Sequence, residues 1–589
     1  MKTKMITVLI MMALSLSLFA ISKNENTQLT VNKNIYIETA LAEQVTKSII
    51  SVAGENSRFR VERGVAQVAA LWRKEDGSPE EFAAFCQSSF IANDAQLQIL
   101  FEKLQRNLEI ISGYFHKIDL ELKEPVQLTG SEITSVDELF GGYDISSHLD
   151  DDLFANKTAF ITALNFPCFT LEEKTKLGKQ WTRQQWAYAR MGDRFITRVP
   201  ADVLQNMSQV LASADAYISA YNICMGKLLN DKGESLFPAE MKLISHWGLR
   251  DELKSDYSDK KRGQEKQEII YSVMKRVIDQ TIPADVINDE KYTWNPMSNN
   301  FYLAGKQMIA NPEGNKRYEV LLDNFKANKE IDKFTPQMPN ALMRNFNGYL
   351  EIPQQDVEAL FKGLLTSPEV KKVATLIQKR LGRKLRPFDI WYNGFKSKPN
   401  LSEEELTRIT SKKYPNPQAM EADLPEILKK LGWTPEKAAK IASLVKVDPA
   451  RGSGHASGAV MRNDYAHLRT RIAPTGMDYK GYNIAIHEFG HNTEQTITLN
   501  DVDYWMLNGV PNTAFTEAVA FLFQKRDLEL LGFNNSNTEA EKNLALDDFW
   551  SCYEIMGVAL LDIATWEWMY AHPNATALEL KEAVLSKSK

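Results

Sequence analysis

Residues 481–495 read GYNIAIHEFGHNTEQ, with two histidines four positions apart and a glutamate directly after the first. A helix turns about 100° per residue, so His487 and His491 project from one face, where both imidazoles reach one ion at ~2.0–2.1 Å. Glu488 lies beside that face, where its carboxylate can take a proton from water without occupying the metal. Ile484, Ala485 and Ile486 keep the start of the helix apolar, and Gly490 lets a neighbouring element come close. The plain alternative is a pair of satisfied core histidines; the spacing favours zinc over it.

A catalytic zinc takes three protein ligands and keeps a fourth position open. Glu494 continues the same face, but seven residues separate it from His487, about 10 Å along a straight helix. Position 497 is isoleucine, so no third histidine follows there. Asp501 and Asp503 come next in a loop. The stronger candidate is Glu517 in NTAFTEAVAFLFQKRDLELL (512–531), read as a second helix capped by Asn512 or Thr513. It is a charged residue in an apolar run, and a buried carboxylate needs a partner that a cation would supply.

The whole chain sets bounds on this site. At 589 residues it is too long for one core. With 44% hydrophobic and 25% charged residues it has the composition of an ordinary globular protein, and a net charge of −6 argues against a nucleic-acid partner. KKRGQEK (260–266) is basic but short and mixed, a solvated helix face. MKTKMITVLIMMALSLSLFAIS (1–22) has lysines, an apolar stretch and a small-residue end, the layout of a secretory signal peptide. An exported protein is expected, periplasmic or extracellular, with no membrane association after cleavage. Cys86, Cys168, Cys224 and Cys552 are too scattered for a zinc ribbon or redox pair; one disulfide or buried free thiols are both open.

Most of the remaining sequence has helical periodicity. Leu97, Leu100, Phe101, Leu104, Leu108, Ile111 and Phe115 recur on one face after an Asn93 or Asp94 cap. Leu204, Met207, Leu211, Ile218, Tyr221 and Met225 form a second stripe. Turn-rich stretches between about 285 and 350 suggest a soft boundary, giving lobes at 23–330 and 331–589. A helical hairpin follows, DLPEILKKLGWTPEKAAKIASLV, closed by Gly432 and reopened by Thr434-Pro435. SGAVMR (457–462) and AHLRTRI (466–472) read as a β-hairpin linked by Asn463-Asp464-Tyr465, with His467, Arg469 and Arg471 on its polar face.

HEFGH followed 26 residues after His491 by a helix-borne glutamate resembles the gluzincin zinc peptidases of the thimet oligopeptidase and oligopeptidase F family. Angiotensin-converting enzyme has a related arrangement. VDPARGSGHASGAVMR is similar to that family's glycine-rich segment, here ending in Gly454-His455-Ala456. The likeness is specific over about 447–531. It implies a mainly α, two-lobed helical zincin-type fold with a deep channel and a small sheet beside the zinc helix. It also implies one Zn2+ per chain on His487, His491 and Glu517, and short peptides as substrates. Phe521 departs from the pattern, because several gluzincins place an acid there to hold a zinc-binding histidine.

The expected chemistry is hydrolysis of short unstructured peptides, with Glu488 as general base. His455 is a candidate oxyanion donor, with a structural or substrate-orienting role equally open. Tyr553, Tyr570 and His572 are the remaining candidates downstream. The helix-like ending ALELKEAVLSKSK has no glycine cap, which suggests either a shortened chain or a larger part for His455. The polar strand could receive an extended peptide by strand addition, and Arg469 or Arg471 could hold a substrate carboxylate, although solvation is their commoner fate. Two other functions fit the same motif: a dipeptidyl carboxypeptidase or carboxypeptidase, and an exported peptide-binding protein that is catalytically weak.

Overall fold

Helical periodicity dominates the sequence, and the computed structural model is 66% helix and 7% strand, mainly α as expected. It describes residues 36–245, 247–395, 403–452, 454–509, 512–533 and 538–587. The leader read at 1–22 lies outside the described residues. Among them no helix is long and apolar enough to cross a membrane. All four cysteines are free; Cys86, Cys168 and Cys224 are buried and Cys552 is exposed.

The stripe beginning at Leu97 belongs to one long helix, Asp94–Gln127, whose Asn93 cap accepts from the Gln96 N–H at 3.0 Å. Leu97, Phe101, Leu104 and Leu108 pack with Trp72, Phe82, Phe160 and Phe166 in a single core. The second stripe is shorter than its spacing suggests. Helix Ala201–Ser219 stops before Tyr221 and Met225, which belong to a different core with Trp294, Phe301 and Phe388. The helical hairpin forms as read: Gly432 turns the chain with φ +98°, and the Thr434 hydroxyl accepts from the Lys437 N–H. The final segments form helices Thr538–Ala571 and Ala577–Lys587, and the latter packs on Tyr318, Leu321 and Phe325.

Among the described residues, eight short strands make three small sheets. β1 (Asn222–Cys224) pairs with β2 (Lys242–Ile244), and β3 (Tyr292–Asn295), β4 (Asn300–Leu303) and β5 (Lys306–Gln307) form a meander. The third sheet has the order β6 (Val445–Pro449), β8 (Ala466–Thr470), β7 (His455–Ser457). β6 runs parallel and β7 antiparallel to β8.

This third sheet corrects the hairpin reading. The first strand is 455–457, not 457–462, and His455 pairs with Arg469. Residues 458–465 leave the sheet because their side chains have other partners. Met461 packs so closely on Gly113 of the long helix that a Cβ there would lie 2.4 Å from it. The Arg462 N–H donates to Glu109 Oε1 at 2.9 Å, and its guanidinium donates to the carbonyls of Leu499 and Val502. Arg462 therefore caps the end of the HEFGH helix with a positive charge, as the helix dipole favours.

The HEFGH segment lies in helix Tyr479–Asn500, opened by Asp478, whose carboxylate accepts from the Gly481 N–H at 2.6 Å. We call it the motif helix. Its first half packs Tyr482, Ala485, Ile486 and Phe489 into a core with Leu424, Ile427, Leu468 and Phe523. Its last turn places Leu499 in the core of the long N-terminal helix. One helix thus joins two cores. Beside it runs helix Thr513–Gln524, capped by Asn512, whose side chain accepts from the Ala514 N–H. At their crossing a Cβ on Gly490 would sit 2.6 Å from Ala520 Cα.

That distance yields a stability test. Gly490→Ala gains helix propensity of about 1 kcal/mol, but overpacking against backbone costs about 1–3 kcal/mol and separates the helices. The expected result is a lower denaturation midpoint. A midpoint raised by the substitution would show that the contact is not limiting.

Candidate metal centre

The two helices run antiparallel: His487 meets Gln524, Gly490 meets Ala520, and His491 meets Thr516. This brings Glu517 opposite the histidine pair. His487 Nε2 and His491 Nε2 lie 3.2 Å apart, and Glu517 Oε2 lies 3.5 Å from the first and 3.6 Å from the second. Ligands on a tetrahedral ion with bonds of ~2.0–2.1 Å are about 3.3 Å from one another. The donor set fits that spacing. Among the described residues it is the one group of three such side chains close enough to share an ion.

Each ring is oriented by its other nitrogen. His491 Nδ1 is 3.1 Å from Thr516 Oγ1, and His487 Nδ1 is 3.1 Å from Gln524 Oε1. Gln524 Nε2 donates to Asn483 Oδ1 at 2.8 Å, and Asn483 Nδ2 donates to Asp527 Oδ2 at 2.7 Å. Tyr479 also donates to Asp527 Oδ2. Asp527 only accepts, so it orients Asn483. That amide orients Gln524, which presents an oxygen to His487 Nδ1–H and leaves Nε2 free for a metal. The sequence reading missed Thr516, Gln524, Asn483 and Asp527. Asn483 stands one turn before His487 and Gln524 two turns after Glu517, so helical spacing from the motif was the available signal.

Several expectations now separate. Glu494 is 8% exposed, outside the cluster, with Oε1 lacking a hydrogen-bond partner. Asp501 pairs with Lys437 and Lys440, and Asp503 with Arg183. Glu517 is less enclosed than its apolar neighbours suggested: its side chain is 33% exposed. The reason is that Ala520 and Phe523 face the core, whereas Phe515, Phe521 and Leu522 do not. Phe521 stands edge-on to His487, with ring centroids 5.0 Å apart.

Glu488 lies off the ligand face, and its carboxylate accepts from the Ala456 backbone N–H on edge strand β7. β7 tracks along the motif helix, Gly454 against Ile484 and Gly458 against Gln495. His455, one residue from Ala456, is not brought into the cluster. Its Nε2 is 3.5 Å from Arg469 Nη1. Arg469 is neither solvated nor open to a substrate carboxylate: it is buried against Asp448 and Gln127, whereas Arg471 is exposed. Tyr570 is occupied by the Ala341 N–H and Asp332, His572 stacks on Trp568, and Tyr553 packs on Trp550.

The charges respond to this packing. Burial pushes the Glu488 carboxyl up to about 7, with His487 and the Ala456 N–H opposing and Glu517 assisting. Burial pulls His487 down, but its hydrogen bond to Glu517 and the nearby carboxylates outweigh that and leave it raised. Burial lowers His491, against the pull of Glu517. Burial raises Glu517, but the two histidines more than offset it and hold it low. No protein-family model matches the chain, and no curated protein matches it.

Metal titration of single variants tests the assignment. Glu517→Ala should lose affinity sharply and Gln524→Ala by about 10–100-fold, whereas Glu494→Ala, Asp501→Ala and Asp503→Ala should bind as the parent does. Undiminished affinity in Glu517→Ala refutes the third ligand. The metal-free chain gives a second test. A carboxyl whose folded pKa is raised contributes its full stability below the unfolded value near 4.5 and loses it as pH rises through about 7. Stability of the metal-free protein should therefore decline across that window more steeply than that of Glu488→Gln, as measured by denaturant midpoints at each pH.

Proposed function

We propose that this chain is an exported zinc-dependent peptidase that hydrolyses short unstructured peptides, with His487, His491 and Glu517 as ligands and Glu488 as general base. The single observation that carries this reading is the division of labour among the carboxylates. Glu517 converges with two imidazoles on one point, while Glu488, next to the first histidine, stays off that point, buried and held by the Ala456 N–H. A zinc ion held by the three ligands would supply Lewis acidity and acidify a water toward neutrality.

The remaining work belongs to the chain. A base near neutrality accepts a proton from water and returns it to a leaving amine with little driving force lost either way. Glu488 is buried beside the two histidines; in the metal-free chain that burial raises its carboxyl to about 7, and the Ala456 N–H fixes its direction. β7 is an edge strand, the position in a sheet at which an extended peptide adds. An added strand there would run beside Glu488. His455 adjoins Ala456 but turns its ring toward Arg469, so the oxyanion role and a structural one both stay open for it. The reading extends to a two-lobed body whose channel admits flexible chains and excludes folded ones.

Zinc analysis with mass-spectrometric digestion of a peptide mixture tests it directly. Glu488→Gln should retain stoichiometric zinc and lose hydrolysis by about 10²–10⁴-fold. Loss of zinc in that variant, with the fold intact, means that Glu488 is a ligand and the role is wrong. An oxyanion role for His455 requires that His455→Ala keep zinc and lose about 10²–10³ in turnover; full turnover removes it from the site. A native folded protein should survive conditions that consume the peptides.

A further inference from the structure

A surface helix normally buries one apolar stripe. The helix Thr513–Gln524 has two. Ala520 and Phe523 form the buried one. Ala514, Phe515, Ala518, Phe521 and Leu522 form the other, and all five are exposed. Phe515 is 47%, Phe521 49% and Leu522 65% exposed. Residues three and four apart adjoin on a helix, so 514, 518 and 521 meet 515, 518 and 522 in one strip. Within TAFTEAVAFLFQ the only charge is Glu517.

The strip ends at the metal centre. Phe521 lies one turn beyond Glu517, and its ring meets His487 at 75°. Since Gln524 holds His487, residue 521 has no hydrogen-bonding duty toward that ring. Glu488, held by the Ala456 N–H, follows His487 on the motif helix, whereas Phe521 stands on the facing helix. Exposed apolar surface continuous with a polar cleft marks a ligand groove.

We propose that Phe521, with Leu522 and Phe515 beyond it, forms a subsite that selects peptides by a bulky apolar side chain flanking the scissile bond. The inference rests on the peptidase reading above. Phe521 is a specificity residue in it: it touches the substrate side chain and takes no part in the proton transfers. Pockets of this type discriminate by about 10–200-fold per methylene-sized difference, and an aspartate or lysine in the same place would lose water without gaining a partner.

The test uses unstructured peptides identical except for one central residue, phenylalanine, leucine, aspartate or lysine. The zinc-loaded chain should cleave beside phenylalanine or leucine at least tenfold faster, in kcat/KM, than beside aspartate or lysine. Phe521→Leu should keep that preference and Phe521→Ala should lose it, both with unchanged zinc content and melting temperature. Cleavage of all four peptides at equal rates, or an intact preference in Phe521→Ala, overturns the subsite while leaving the peptidase reading in place. Binding of the same peptides to Glu488→Gln separates the two claims. If the parent chain cleaves nothing, but Glu488→Gln binds the phenylalanine peptide at least tenfold tighter than the aspartate peptide and the added Phe521→Ala removes the difference, the peptidase reading fails and the subsite stands. If light scattering instead shows a dimer that Leu522→Asp dissolves, and peptide binding is indifferent to Phe521, the strip is a self-association surface and the proposal falls.

Discussion

The near contact of two helix backbones at Gly490 and Ala520 governs the geometry of the site. Side chains on separate helices reach a common point only when the axes come close, and a hydrogen at position 490 permits it. Because the helices are antiparallel, residues on either side of the crossing face each other in reverse order. His491 is set against Thr516 and Glu517, and His487 against Gln524. The convergence of His487, His491 and Glu517, their orienting partners and the exposed position of Phe521 all follow from that crossing.

Charge placement follows from the same packing. Three groups that can take up a proton are crowded within a few ångströms, so burial and mutual attraction move their pKa values in different directions. Glu488 lies off the point where the three converge; His487 and Glu517 act on it in opposite directions, and desolvation is the larger cause of its rise. Asp527 bonds neither ring directly, yet through Asn483 and Gln524 it fixes which nitrogen of His487 is free. Two neutral amides transmit the direction without transmitting the charge.

The motif itself was legible because its spacing is a property of one helix. His487, Glu488 and His491 need only a 3.6-residue period to be placed relative to one another. Glu517 was legible from the adjacency of a second capped helix and a lone charge in an apolar run, although its surroundings are more open than that run implied. Long helices and the Gly432 turn were readable for similar reasons. The sheet was not. Alternation in SGAVMR looks like a strand, but Met461 and Arg462 find better partners on the long helix and on the end of the motif helix. The parallel strand Val445–Pro449 joins the sheet through contacts between elements, which no local pattern announces. Arg469 was misplaced in the same way: a polar face is solvated only if nothing covers it, and Gln127 covers it.

The double anchorage of the motif helix has a consequence for the order of assembly. Its first half is held by residues close in sequence, such as Leu468 and Phe523, whereas Leu499 is held by a core built from helices near Trp72 and Phe101. Contacts of such separation form late, because closing a long loop costs entropy before any contact repays it. On the ribosome the distant partners emerge first and must wait, apolar surface uncovered, until Leu499 and Trp505 arrive. The histidine pair thus becomes rigid only when the two ends of the fold have met. A nascent chain carries His487 and His491 long before Glu517 can converge with them.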